Sequence, residues 1–578
     1  MSASNKKKLR KEQNAALLTE KQKREQQEAR KLKAYTWTFA IIMILVVAIV
    51  VGVVVTPLID GMIRRGSQAV TIGDHKLSAA DFTYFYYDAV SEYQQEVYSQ
   101  YYNSLGNYWS VMLGFDTTKP LNEQAYDNDK TWADHFVEMA VEDAKDVYAL
   151  YDDAIANNYK LSDDEQKNMD SYAESLDLYA TYYGYSNAKS WLRNTYGNGA
   201  TQDSYLEYYK VCATASAYLN DYSDKLEYKP EDYRAYEKDK FDDYSTVSYV
   251  HYTLNYTAYL GEGTKGEDGK TTWTDEQHEA ARKALQADIE ILKAAEITDK
   301  ESFDKAIQGL PVNKIDKDSD NKKLPTSTEV KHAFFENISL NTSVVDWLKE
   351  TTTVDGQIKT ARTAGELKAF EVYTYEDHED DEHEHGDDCG CKRTVDAYTV
   401  VLFNERCDHT AKMANVRHIL VKFEGGKTDE NKNTTYSDEE KAKAKAEAEK
   451  LLQEWLDGKA TEESFGELAN SKSDDQNGKV TNGGLYEDIY QGQMVEAFED
   501  WCFAEGRKAG DTGIVETEYG YHVMYYSSTD EMSYRDTMIE SDMRNDDTDK
   551  WRDGLVEKVS HKIVSLNYVD LDYIVEKG

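Results

Sequence analysis

Cysteine and positive charge are what this sequence has least of. Five cysteines in 578 residues do not suggest a disulfide scaffold. None stands in or just after the single long apolar run, which excludes a lipid anchor there. Lys and Arg number 67 against 109 Asp and Glu, for a net charge of -42. The basic residues that do cluster lie in the first 33 positions, which carry about +7 and leave about -49 for the rest. A body so acidic lacks the basic footprint that nucleic acid requires. It stays soluble and disfavours close approach to anionic surfaces.

The basic tail, residues 1–34, leads into an uncharged stretch from Ala34 to Ile59 centred on Ile41–Val51. A bilayer core needs about 20 apolar residues, and this run exceeds that. Trp37 sits where an interfacial anchor belongs, and the basic flank predicts an N-terminus in the cytoplasm. A cleaved signal peptide is the alternative, but its apolar region is normally about 7 to 15 residues. The favoured expectation is a single transmembrane helix over 35–58 with the remainder outside, at the cell membrane.

Tyrosine is abundant, at 45 residues, and dominates the next segment of the chain. Val70–Leu77 reads as a short strand with a glycine turn, and Ser78 with Asp81 as a variant capping box. Helices are expected beyond it, carrying Phe82, Tyr84, Phe85, Tyr86 and Tyr93, then over 131–157, 162–183, 188–196 and 204–222. Two more are expected near the C-terminus, over 534–545 and 549–562.

The stretch that organises the chain runs from Val416-Arg417-His418-Ile419-Leu420-Val421 to Gly520-Tyr521-His522-Val523-Met524-Tyr525. Both ends alternate as half-buried strands do, and each carries one histidine. Between them come an Ala/Lys/Glu-rich helix (438–456), Phe465-Gly466-Glu467-Leu468-Ala469, Ser473-Asp474-Asp475, Gly483-Gly484-Leu485 and Gly492-Gln493-Met494-Val495-Glu496-Ala497-Phe498. This order resembles the parvulin-type peptidyl-prolyl isomerases over about residues 414–528. The resemblance implies an antiparallel sheet flanked by helices and isomerisation of X-Pro bonds with no cofactor required. It implies catalytic roles for His418, His522 and Asp475, with Met494 and Phe498 as a proline pocket and Thr517 and Tyr519 at its mouth. The segment after Asp475 is longer than usual, so Asp474 competes for the acid position. By spacing, Met494 and Phe498 are four apart on a helix and share a face.

The strand-turn-helix opening over 70–245 resembles, more loosely, the N-terminal chaperone region of PrsA- and SurA-type extracytoplasmic foldases. That implies that residues 529–578 return to complete it. Residues 246–405 read as a second, degenerate copy of the domain at 406–528. Ser248–Leu254 echoes the opening strand, 275–294 the long helix, Glu301-Ser302-Phe303 the segment at Phe465, Val345–Leu348 the segment at Trp501, and Ala397–Leu402 the last strand. His251 matches His418, but Thr399 stands at the place of His522, and no Gly-Gln-Met segment is found.

Inside that copy, 376–391 gathers His378, His383, His385, Cys389 and Cys391 among carboxylates. Such a loop binds a divalent transition metal weakly or is simply a solvated acidic loop. The fold class expected is α+β: one transmembrane helix, a mainly helical chaperone domain and two parvulin-like domains. The function expected is a membrane-anchored extracytoplasmic foldase acting on unfolded exported polypeptides, with a homodimer left open. The alternatives are a non-catalytic holdase and a metal-sensing surface protein.

Overall fold

The uncharged run forms a helix, in which the backbone N–H and C=O groups bond within the segment itself. That helix, α1 (Tyr35–Gly66), is the one helix among the described residues long and apolar enough to cross a membrane. The computed structural model describes residues 6–8, 10–11, 31, 33, 35–266, 269–313, 324–354, 357–375, 393–428, 434–475, 481–571 and 573. The helix continues past Leu58, where the apolar run was expected to end it. Its last turns are polar and anchored: Arg64 Nε lies 3.0 Å from Asp60 Oδ2, and Arg65 donates to the Gly199 carbonyl at 3.0 Å.

The chain divides into two compact units, one of residues 1–227 with 544–578 and one of residues 228–543. In the first, β1 (Gln68–Ile72) and β2 (His75–Ser78) form a hairpin whose turn places Gly73 at φ +54°. Ser78 and Asp81 close a reciprocal capping box at the start of α2 (Ala79–Leu105). Phe82, Tyr84, Phe85 and Tyr86 of this helix are buried. They pack with α3 (Trp132–Ala156), α4 (Asp163–Tyr182), α5 (Ala188–Tyr196) and α6 (Gln202–Asp224).

The second unit holds two four-stranded antiparallel sheets. The first contains β3 (Thr246–Asn255), β4 (Thr328–Phe334), β5 (Leu367–Tyr375) and β6 (Arg393–Cys407), in the order β4-β3-β6-β5. Between β3 and β4 run α7 (Asp275–Ala294) and α8 (Lys300–Gly309), and α9 (Thr342–Lys349) lies between β4 and β5. The second sheet contains β7 (Lys412–Lys422), β8 (Leu485–Ile489), β9 (Thr512–Thr517) and β10 (Gly520–Ser533), in the order β8-β7-β10-β9. Helices α10 (Asp438–Asp457) and α11 (Glu462–Lys472) fall between β7 and β8, and α12 (Glu496–Cys502) between β8 and β9. Strand order and helix placement are therefore the same in both sheets.

Side chains alternate across β7 and β10, so each strand feeds two cores. Ile419, Val421, Tyr521 and Val523 face α10 and α11, meeting Ala444, Ala448, Leu451, Trp455 and Phe465. Ala444 and Ala448, four apart, face the sheet and let the helix lie close to it, while Ala442 and Ala446 are exposed. Phe465 is fully buried, worth about 1.5–3 kcal/mol of transfer energy. Val416, Met524 and Tyr526 face the other way, onto Phe498 and Cys502 of α12.

Beyond β10 the chain departs from expectation. A single helix, α13 (Tyr534–Val556), replaces the two expected, and β11 (His561–Ile563) forms where helix was expected to reach Lys562. β11 pairs antiparallel with β1, Val70 opposite Ile563, so the first unit's sheet has the order β11-β1-β2.

Candidate functional site

His418 and His522 come from the two central strands of the second sheet and share its α12 face. His418 lies opposite Met524 and His522 opposite Leu420, so the imidazoles are diagonal neighbours. Their Nδ1 atoms are 3.1 Å apart and both rings are buried. Phe498 makes T-shaped contacts with both rings, with centroids 5.5 Å from His418 and 5.4 Å from His522. Two buried imidazoles over an aromatic ring make a dry floor with one polar seam.

That seam runs on at both ends. His522 Nε2 is 2.9 Å from Thr517 Oγ1, and the Tyr519 amide donates to the same hydroxyl at 3.2 Å. His418 Nε2 lies 3.3 Å from Asp475 Oδ2, without hydrogen-bond alignment, and Tyr486 donates to that oxygen at 2.8 Å. An ionised Asp475 favours a proton on His418 Nε2. His418 Nδ1 is then an acceptor, His522 Nδ1 donates to it, and the Nε2 of His522 accepts a hydrogen bond from the Thr517 hydroxyl. Burial, aided by the neighbouring His418, holds the His522 pKa down to about 3, so this ring is neutral at physiological pH. Burial also lifts the Tyr486 phenol to about 12, and its bond to Asp475 adds to this.

Asp474 serves elsewhere. Its carboxylate accepts the Lys422 amide at 3.1 Å and its own N–H donates to the Leu420 carbonyl at 2.8 Å. Thr517 is buried behind His522, whereas Tyr519 is 56% exposed, so only the latter stands at an open edge. Met494 and Phe498 do not share a helix: α12 starts at Glu496 after Val495, and Met494 lies in the preceding turn while still packing on the same core. The motifs assign no role to two contributing residues: Tyr486, which lies outside them, and Ser473, which opens Ser473-Asp474-Asp475. Tyr486 is legible only through strand alternation, which puts it opposite Val416 on the histidine face. Ser473 accepts the amides of Leu420, at 3.0 Å, and Asp475, at 3.3 Å, and nothing in its spacing signals that.

In the first sheet His251 lies opposite Val401 and Thr253 opposite Thr399. By register, His251 therefore corresponds to His418 and Thr399 to His522. Thr253 and Thr399 share a hydroxyl–hydroxyl bond of 3.0 Å, and His251 Nδ1 is buried with no hydrogen-bond partner. The loop with His378, His383, His385, Cys389 and Cys391 lies outside the described residues. Among the described residues no group of three or more His, Cys, Asp or Glu side chains is arranged to hold a metal ion.

Comparison with known proteins bears on the same region. Residues 399–528 match the family model described as a PPIC-type PPIASE domain. The foldase protein PrsA of Exiguobacterium sibiricum is 29% identical over 99 residues, which are 17% of this chain and 30% of that protein. The chain thus spans less than a third of the curated relative it matches. The crystal structure of the peptidylprolyl isomerase PrsA from Bacillus anthracis is 25% identical, with 26% of this chain and 59% of that one covered and a TM-score of 0.16. For PrsA from Bacillus cereus the values are 21%, 26%, 49% and 0.17. TM-scores this low say nothing for the arrangement of the whole chain. The resemblance to parvulin-type, PrsA-like foldases rests on the matched domain, and there it is shown.

Proposed function

We propose that the second sheet and its helices are a working peptidyl-prolyl cis-trans isomerase on a membrane-anchored, extracytoplasmic foldase. The observation that carries this reading is the buried His418–His522 pair with Phe498 in T-shaped contact with both rings and Asp475 at the outer nitrogen. Rotation about a peptide bond is opposed by about 18–20 kcal/mol of resonance and torsional barrier. No bond to carbon is made or broken, so the site needs no nucleophile and no cofactor. It must hold the twisted amide better than either planar isomer. Phe498 and Met494 supply apolar contact for the prolyl ring. The imidazole pair, its proton order fixed from Asp475 to Thr517, offers a pre-set polar edge in a site with little water.

The apolar helix α1 behind a basic tail supports anchoring with the acidic body outside. The clients are then unfolded or partly folded exported chains. The first sheet is a degenerate copy: Thr399 at the place of His522 removes the pair, and Val344 stands where the echo of Asp346-Trp347 with Asp500-Trp501 would put Phe498. Exposed Leu178, Tyr182 and Tyr183 at the end of α4 favour an additional holding activity toward unfolded chains. The test is exchange NMR on prolyl peptides with the purified chain. Enhanced cis-trans exchange that His522→Gln suppresses is expected; no enhancement by the wild type would leave the holdase reading alone.

A further inference from the structure

The turn before α12 is gripped from outside its own sheet. Gly492 has φ +95°, and a Cβ built there would lie 2.5 Å from His332 Cγ. Only a glycine lets this backbone sit against that ring. His332 belongs to β4 of the first sheet and is itself in the left-handed region at φ +47°. Its amide donates to Ser248 Oγ at 3.1 Å, and its Nε2 lies 3.7 Å from Glu405 Oε1. From the other side, the Gly492 amide donates to Glu499 Oε2 of α12 at 2.6 Å. Next to it the Cys407 thiol of β6 reaches Gln491 Oε1 at 4.0 Å, and Tyr490 stacks on Tyr534 with centroids 3.7 Å apart. His332, Cys407, Gly492, Met494 and Glu499 line one cavity of about 870 Å³.

Two residues beyond Gly492 is Met494. We infer that His332 of the first sheet is a positioning residue for the isomerase site: its ring fixes the Gly492 turn and thereby the placement of Met494 against the proline pocket. A left-handed, non-glycine residue costs backbone energy that only surrounding contacts repay. Here those contacts come from Ser248 and Glu405 on one side and the glycine on the other. The copy without the histidine pair thus acts on catalysis by holding the pocket of the copy that has it. The kinetic part of the inference rests on the isomerase reading; the structural part does not.

The experiment uses the full chain, 13C-labelled at the methionine methyls, with His332→Asn. Asparagine tolerates the left-handed backbone and lacks the ring. The Met494 methyl signal should shift or broaden while those of Met139 and Met543 stay put, and His332→Phe, which restores a ring, should move it back toward wild type. Turnover of prolyl peptides should show kcat/KM about three- to tenfold lower, mainly through KM. In a Met494→Ala background the same substitution should change kcat/KM by less than about 1.5-fold, the non-additivity of residues that act through one contact. An unmoved Met494 signal overturns the inference, and so do effects that multiply in the double variant. A wild type without isomerase activity overturns the isomerase reading instead, and the methyl signal alone then decides whether His332 positions the turn.

Discussion

Asp474 and Asp475 are adjacent, yet only Asp475 faces the histidines. Asp474 closes onto the Lys422 amide at the end of β7, while Asp475 sits 3.3 Å from His418 Nε2 and accepts the Tyr486 phenol. Charge at Asp475 therefore bears on the His418 end of the seam, and charge at Asp474 does not.

Asp475→Asn keeps the shape and removes that charge. Isomerase kcat/KM is expected to fall about 10- to 100-fold with the melting temperature little changed, whereas Asp474→Asn should stay within about threefold. Equal losses in both variants would move the acid role away from Asp475.

Phe498 is fully buried beneath both imidazoles. Phe498→Ala should cost about 3–5 kcal/mol of stability. Phe498→Leu keeps most of the volume and loses the aromatic ring, so it should remain folded and lose activity chiefly through KM. A leucine variant with wild-type kinetics would remove the aromatic ring from the pocket.

Acid should act oppositely on two sets of sites, one in each unit. His522, held at about 3, and His409, held at about 4 chiefly by burial, are both depressed below the ordinary 6.5. The unfolded chain takes up these protons first, so stability present above pH 6.5 is lost as pH falls toward those values. Across that window each site costs up to about 1.4 kcal/mol per pH unit. In the helical unit burial, with Glu92, Asp146 and Asp88 nearby, raises Asp143 to about 7. Its folded form keeps a proton that the unfolded form has lost, so that site favours folding more as pH falls below 7. Calorimetry at pH 7.5 and pH 5 should show residues 228–543 losing less stability with acid in His522→Gln than in the wild type. An unchanged pH slope in that variant would contradict the assignment.

Protease added to intact cells should remove the acidic body and leave a membrane-bound stub that ends near Gly66, because α1 is the only described helix fit to cross a bilayer. Full protection of the body would refute the proposed orientation.

Much of the second unit is legible in the sequence because periodicity there is strong and local. The apolar face of α10, Ala444, Ala448, Leu451 and Trp455, and the alternation around His418 and His522 specify helix and strand without help from elsewhere. Met494 misleads because an i, i+4 apolar pair looks helical. Gly492 at φ +95° delays the helix start to Glu496, and that conformation is held by His332 from another sheet. Thr517 belongs at the pocket mouth by resemblance, and only the fold hides it. Its burial comes from the β9–β10 hairpin, which tucks it behind His522. β11 is three exposed residues with no pattern of their own, and its strand character comes from β1 nearly 500 positions earlier.

That last pairing orders the birth of the molecule. The edge of β1 is without its partner until His561–Ile563 have been made, so the helical unit cannot finish its sheet while the ribosome is still adding the body. Residues 228–543, whose strands pair only among themselves, are complete sooner. A chain that starts first and closes last has a long interval with an open edge, the condition in which slow, non-local pairing exposes a nascent protein to aggregation. Truncation just before His561 should therefore leave the two-sheet unit intact and make the helical unit the part that sticks.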